Sequence, residues 1–457
     1  MQAGAGFKLV KARPGGWLPE DHRIIHDWIG RLKRLADASP RELAPPIAAM
    51  RDMVDSDAAL CSQIRAMFSE AVEHEQLTPL GQVPVRSFEE FLGLLDVVMT
   101  TAPEAYQDIR TSQPAGLIGF PVNALLDWPM ATESGYAVFA NQLFNQQLDK
   151  ILGHWCQFLL SADSRYVLTA APYKINDQTE VVPWLGDAAR AEMVRVAVSA
   201  LGEGKNPTPS CFEEIFDCLS GEPYFGYASW DDFFTRTFRP SVRPTPGTDD
   251  DNVVLNACES APLQVVTHAG LGAEFWMKGQ PYSLVDMLNH DPDAALFDGG
   301  TVYQAFLSAL SYHRWHSPVA GTVKKAYVVK GSYYLENLYE GFKNPRGADP
   351  SGPNQSQPFL TSVATRAVIF IEADNPAIGL MCVVPVGMAE VSSCEISVSP
   401  GQHVDKGQTL GMFHFGGSTH CLVFRADVNL EFNFYGETPG LDANNLRVRT
   451  PIATVRR

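Results

Sequence analysis

The apolar residues of this chain recur with two different periods, and the change from one to the other divides it. From about residue 19 to residue 160 the spacing is helical: Ile25, Trp28, Ile29, Leu32 and Leu35 line one face of a helix. Ser87 followed by Glu90 has the spacing of a capping box, and Phe88, Phe91, Leu92 and Leu95 then form an apolar stripe. A further helix carries Leu148, Ile151, Leu152 and Trp155. Helical pattern returns over residues 187–219, broken by a polar turn at 202–210, and the proline-rich, acidic stretch 240–252 reads as an extended linker. Beyond it the runs are short and β-type, at 255–266, 300–310, 322–329, 367–372, 379–386 and 391–398, with a short helical piece around 282–288. Residues 341–358 carry no apolar period and read as a mobile loop. The pattern predicts an α+β protein: an α-helical N-terminal domain over residues 1–165, then a mostly antiparallel β domain over residues 166–457.

Composition narrows the partners. The chain has 457 residues, 45% of them hydrophobic and 19% charged, which is a globular balance with room for two or three cores. A formal net charge of −17 argues against nucleic acid and against electrostatic docking on anionic lipid. No apolar run reaches the roughly 18 residues of a membrane-spanning helix, so no integral membrane association is expected. Lys8, Lys11 and Arg13 precede no long apolar core, so no signal peptide is expected either. The eight cysteines include no Cys-x-x-Cys pair and read as reduced core residues of a cytoplasmic protein.

Three stretches hold candidate chemistry. Gly416-Gly417-Ser418-Thr419 places a hydroxyl behind a flexible glycine step, where it can attack the carbonyl before it, attack a substrate, or simply make a turn. Tyr312-His313-Arg314-Trp315-His316-Ser317-Pro318 holds two histidines three apart. Pro318 opposes a continuing helix and no acidic or cysteine ligand is suitably spaced, so no metal site is expected; structural packing and acid–base work stay open. In Asn256-Ala257-Cys258-Glu259-Ser260 a carboxylate stands in an apolar run and requires a buried partner. A Ser418–His316–Glu259 set would follow the usual logic of an activated hydroxyl, although nothing in the spacing brings the three together. His22, His26 and His154 read as surface or packed core residues.

The segments 230–239, 278–284, 312–318 and 404–419 together, in this order, resemble the phosphatidylserine decarboxylase family. The resemblance covers roughly residues 225–430 and implies a proenzyme that cuts itself between Gly417 and Ser418. Ser418 would become a covalent pyruvoyl group, the cofactor, and the two fragments would remain together as subunits. It also implies that His316 is the base for the cut, oriented by Glu259, and that His313 serves the decarboxylation. The family generally has Asp in a Ser-Pro-x-Asp-Gly context where this chain has Glu259, one methylene longer.

The long helical segment ahead of the catalytic part, the acidic charge, and the runs 370–375 and 413–418 resemble the soluble fungal L-tryptophan decarboxylase branch. The expected activity is therefore decarboxylation of an L-amino acid, aromatic such as tryptophan. A phosphatidylserine decarboxylase and a non-processing scaffold paralogue are the alternatives. Residues 317–323 and 398–411 also share a glycine-turn hairpin pattern like the barrel-sandwich carriers of biotin and lipoyl groups. No lysine sits at such a tip, so a carrier role is not expected.

Overall fold

The structure, a computed structural model, describes residues 16–38, 42–204, 209–247, 249–272, 282–345, 347–350, 353–390 and 394–456. Seven helices of three or more residues per apolar stripe build the N-terminal part: α1 (His22–Ala38), α2 (Pro45–Ser56), α3 (Ala58–Glu73), α4 (Phe88–Val98), α5 (Pro121–Met130), α6 (Glu133–Ala140) and α7 (Gln142–Leu160). The predicted faces of α1, α4 and α7 are buried, with the exception of Leu35, which lies half exposed at the end of α1. Ser87 Oγ accepts the Glu90 N–H at 3.1 Å, while the Glu90 carboxylate reaches back to the Arg86 N–H at 2.7 Å, one residue earlier than the usual box.

The helical stretch is interrupted by strands that the periodicity does not show. β1 (Glu104–Asp108) and β2 (Pro114–Ile118) join β3 (Tyr173–Lys174) and β4 (Thr179–Val182) in a sheet ordered β2-β1-β4-β3. Pro103, Pro114, Gly116, Gly119 and Pro121 prevent a helix here, and strands this short leave too few residues for a period-two signal.

Past β5 (Val253–Leu255), the centre of the molecule is a seven-stranded antiparallel sheet. Its strands are β6 (Ala261–Ala269), β7 (Gly300–Leu307), β9 (Gly321–Val329), β10 (Arg366–Ala373), β11 (Leu380–Gly387), β13 (His403–Val404) and β15 (Ser418–Phe424), in the order β13-β9-β10-β11-β15-β7-β6. A small sheet orders β12 (Cys394–Ile396), β14 (Thr409–Phe413) and β8 (Arg314–His316), and another orders β16 (Leu430–Phe432), β17 (Pro451–Val455) and β5. The sheets are open; the two hairpin-like segments do pair, through β13 on β9 and β14 on β8, but close no barrel among the described residues.

Both faces of the central sheet are covered, which is why β10 and β11 read as unbroken apolar runs. Val368, Phe370, Cys382, Val384, Cys421 and Val423 point into one core shared with α1–α7. Their alternating neighbours Ile369, Ile371, Val383, Leu422 and Phe424 point into a second core with Trp315 and Ile452. The first core runs without a break from Trp17 to Val423, so the N-terminal helices pack directly on the sheet that carries the candidate site. The 341–358 segment, expected to be a mobile loop, is packed in its described parts: Phe342 stacks on His74 at 4.9 Å and lies near Trp128, and the Phe342 N–H bonds to the Ala131 carbonyl.

Trp155 of α7 ties the helices to the sheet. Its Nε1 donates to the Thr101 carbonyl at 2.9 Å and its ring meets Phe415 edge-on at 5.2 Å. Replacing it with alanine is expected to cost about 3–5 kcal/mol of stability. Denaturant unfolding in a Ser418→Ala background, so that one intact chain unfolds, measures this; a loss below about 1 kcal/mol would contradict the packing described.

Candidate active site

The candidate serine opens β15, between two neighbours: Ser418 stands opposite Gly387 of β11 and opposite Leu307 of β7. One residue beyond the ladder, the Gly417 carbonyl accepts the Met388 N–H at 3.0 Å. That donor polarises the carbonyl and would stabilise an oxygen anion formed on it. Ser418 is fully buried and its Oγ has no hydrogen-bond partner among the described residues. A buried hydroxyl without a partner is uncommon, and is found where a group is kept for reaction or for a ligand.

The turn before the serine is tightly constrained. Phe415 and Gly416 both have positive φ, 30° and 103°, and Phe415 is held there by Trp155. A left-handed non-glycine residue costs about 1–2 kcal/mol, which the packing around it must offset. Gly417 cannot carry a side chain: a Cβ would fall into the Phe120 ring and lie 2.8 Å from Trp17 Cε2. Trp17 and Phe120 stack on each other at 4.5 Å and 7°. Both come from the N-terminal part, Trp17 just ahead of α1 and Phe120 at the start of α5.

His313 belongs to the same aromatic cluster. Its ring stacks on Phe234 at 4.0 Å and meets Trp17 edge-on at 5.9 Å, and its carbonyl accepts the Phe413 N–H. Neither ring nitrogen has a partner among the described residues. Burial, and then the Arg236 guanidinium, hold this imidazole well below its ordinary pKa, so it is neutral at pH 7.

His316 lies at the end of β8. Its Nε2 is 3.0 Å from the Tyr312 hydroxyl; its Nδ1 is 2.9 Å from the Gly407 carbonyl and 3.2 Å from Arg449 Nη2. A carbonyl only accepts and a guanidinium only donates, so Nδ1 satisfies one of them at a time, and the ring is neutral in either tautomer. Burial and Arg449 push its pKa down to about 3.

The expected Ser418–His316–Glu259 set does not form a hydrogen-bonded chain. Glu259 is gripped by Arg243, through Nε at 3.0 Å and Nη2 at 2.5 Å, and accepts the Val448 N–H at 2.8 Å. A buried carboxylate needs a counter-charge, and the buried guanidinium supplies it more fully than a neutral imidazole can. The Glu259 segment is nevertheless beside His316, whose N–H bonds to the Ala257 carbonyl. Alternation along β15 sets Ser418 on the face of His420, Leu422 and Phe424, and the last two pack in the core that holds Cys258 and Trp315. The hydroxyl is thus directed to this second core, and Gly417 to the layer of Trp17, Phe120 and His313.

Several residues at the site carried no motif. The Met388 N–H is a backbone donor and has no residue-type signature. Trp17, Phe120 and Phe234 read only as apolar positions. His414, three residues before Gly417, clasps Asp231 at 2.9 Å and Glu395 at 3.0 Å; burial opposes its charge, yet these two carboxylates raise its pKa. Of the four segments that carried the family pattern, residues 278–281 lie outside the described residues. Two open depressions among the described residues, one bordered by Arg236 and Arg314 and one by Glu340 and Gln355, do not include Ser418. No described helix is long and apolar enough to cross a membrane.

A family model described as phosphatidylserine decarboxylase matches residues 230–438, and a second model of such decarboxylases matches residues 44–193. The chain is 38% identical to the decarboxylase iboD of Amanita muscaria, over 74% of this chain and 94% of that protein. It is 33% identical to the L-tryptophan decarboxylase of Psilocybe cubensis, over 91% of this chain and 89% of that protein. To the phosphatidylserine decarboxylase proenzyme 3 of Schizosaccharomyces pombe it is 27% identical, over 48% of this chain and 21% of the relative. With both halves matched and two relatives covered along most of their length, the chain belongs to the phosphatidylserine decarboxylase family and is a carboxy-lyase.

Proposed function

We propose that this protein cuts itself between Gly417 and Ser418 and becomes a pyruvoyl-dependent decarboxylase of an L-amino acid, aromatic such as tryptophan. The observation that carries the reading is the Gly417–Ser418 step itself. A carbonyl already held by the Met388 N–H precedes a buried hydroxyl with no competing partner. The names of the relatives that match most of this chain support an amino acid as substrate.

In the cut, Ser418 Oγ adds to the Gly417 carbonyl carbon while its proton passes to a base, and the C–N bond breaks to leave an ester. Removal of the Ser418 Cα proton then expels the Gly417 carboxylate and leaves a dehydroalanine. Water converts that to a ketone, with release of ammonia. The ketone's chemistry is to condense with a substrate α-amine and accept the electrons left when CO₂ departs. The donors fit such a group: the site is dry, its imidazoles are neutral, and residue 418 has no side-chain partner to disturb.

We assign the proton transfer of the cut to His316, with Tyr312 on its Nε2. Glu259 acts through Arg243 and Arg449 rather than directly: Arg449 contacts both His316 and the Arg243 carbonyl. His313, among Trp17 and Phe234, is assigned the return of a proton to the substrate Cα. A second reading, in which His313 also serves the cut, is favoured by its two partnerless nitrogens and its contact with Trp17 over Gly417.

The purified protein is expected as fragments of about 46 and 4 kDa, and Ser418→Ala as one uncut chain. His316→Ala should block the cut, whereas His313→Ala should cut and then fail to release CO₂ from tryptophan. A blocked cut in both variants selects the second reading, and CO₂ release from phosphatidylserine alone would refute the amino-acid substrate.

Gly417→Ala should slow the cut by at least about tenfold through overpacking, and Phe120→Ala in the same chain should restore part of the rate. An unimpaired Gly417→Ala chain would contradict the packing described.

With His313 and His316 both held neutral far below pH 6.5, the cut in freshly translated precursor should keep its rate from pH 7 down to about pH 5.5, where an ordinary imidazole is about nine-tenths protonated. A rate that falls with an apparent pKa near 6.5 would show that the base is not one of these two.

A further inference from the structure

Partnerless buried polar atoms gather at one place beside Gly417, on the helical face of the sheet. Glu390 lies two residues past Met388, whose N–H holds the Gly417 carbonyl. Its Oε1 accepts the Asn123 N–H at 2.8 Å, in the first turn of the same helix whose Phe120 ring closes on Gly417. Its Oε2 has no partner among the described residues, although the side chain is fully buried. Asn123 Oδ1 and the Tyr334 hydroxyl are equally buried and equally without partners. Glu336 Oε1 is a fourth such atom, and Asp127 lies one helical turn from Asn123, 3.4 Å from its Nδ2.

Each of these atoms, left alone, costs about 1–3 kcal/mol, and native proteins carry few of them. A ligand that supplies hydrogen bonds removes the cost. Asn123 Oδ1 can only accept, and Glu390 and Tyr334 can accept as well as donate, so the complementary ligand carries a donor. Burial pushes the Glu390 carboxyl up to about 8, against the backbone N–H groups of Asn123, Glu390 itself and Val122 that favour its ionised form, so it is largely neutral at pH 7 and able to share a hydrogen bond in either direction. Burial also raises Glu336, with Asp349 and Asp127 adding to the effect. The aromatic rings of Trp17 and Phe120 supply the apolar wall beside this polar end.

We propose that Glu390, with Asn123 and Tyr334, forms the side-chain pocket of the substrate and selects amino acids whose side chain presents an N–H donor. The inference rests on the amino-acid decarboxylase reading and deepens it. None of these partnerless atoms is met by phenylalanine, whereas an indole or another nitrogen heterocycle meets one of them. A site built to bond a donor rejects the analogue that lacks it far more strongly than an apolar pocket rejects a change in size.

The test compares kcat/KM for tryptophan, 1-methyltryptophan and phenylalanine in the wild-type enzyme, Glu390→Gln and Glu390→Leu, each rate divided by the amount of cut chain. Wild type should prefer tryptophan over 1-methyltryptophan by at least about tenfold. Glu390→Leu should lose most of that preference, chiefly through KM for tryptophan, and Glu390→Gln, which can still accept, should keep it. An equal preference in wild type and Glu390→Leu, or none in wild type, overturns the pocket while leaving an amino-acid decarboxylase in place. Turnover of phosphatidylserine vesicles with no turnover of any amino acid overturns both the pocket and the reading beneath it. Failure of Glu390→Leu to cut would remove that variant from the comparison; the wild-type preference and Glu390→Gln then decide.

Discussion

The site depends on the contact that leaves no room for a side chain at residue 417. Trp17 and Phe120, stacked face to face, close against the Gly417 Cα, and both belong to the helical part of the chain. The contact fixes the peptide plane before Ser418 from one side, and the Met388 N–H fixes its carbonyl from the next strand. Trp155 holds Phe415 in its left-handed conformation, so the turn that presents the bond is also set by the helices. The N-terminal helices therefore help to build the candidate site and share its core.

The sheet then separates residues 417 and 418 onto two faces. Strand alternation turns the Ser418 hydroxyl toward the second core, and turns Gly417 toward Trp17 and Phe120, beside His313. Both imidazoles are stripped of water and flanked by arginines, and so stay neutral where a solvated histidine would titrate. A neutral ring in a dry site is the form that can accept a proton from a hydroxyl or an acid.

Much of this was legible in the residues. The helical stripes ending at Trp155 carry a clear period, because long elements with one buried face must repeat, and β10 and β11 show as unbroken apolar runs because both their faces are buried. The Ser418, His316, His313 and Glu259 positions stood out through residue type and family pattern. The strands at 104–118 did not, since four or five residues between prolines and glycines show no period. The partner of Glu259 was also hidden: a carboxylate demands a counter-charge, but only the fold decides between Arg243 and a histidine. Phe120 and Trp17 looked like any core residues, and Met388 acts through its backbone. Glu390, alone among the apolar residues of 386–391, carried the same signal as Glu259 and is visible by the same reasoning in retrospect.

The central claim is that the Gly417–Ser418 bond breaks and that residue 418 loses its amine. Intact mass spectrometry of the small fragment from purified protein tests it most directly. The account predicts a peptide of residues 418–457 lighter by one ammonia than the same peptide beginning with serine, and shifted by a carbonyl-trapping hydrazine. A fragment that begins with an unmodified serine, or a chain that remains whole while releasing CO₂ from its substrate, would contradict it.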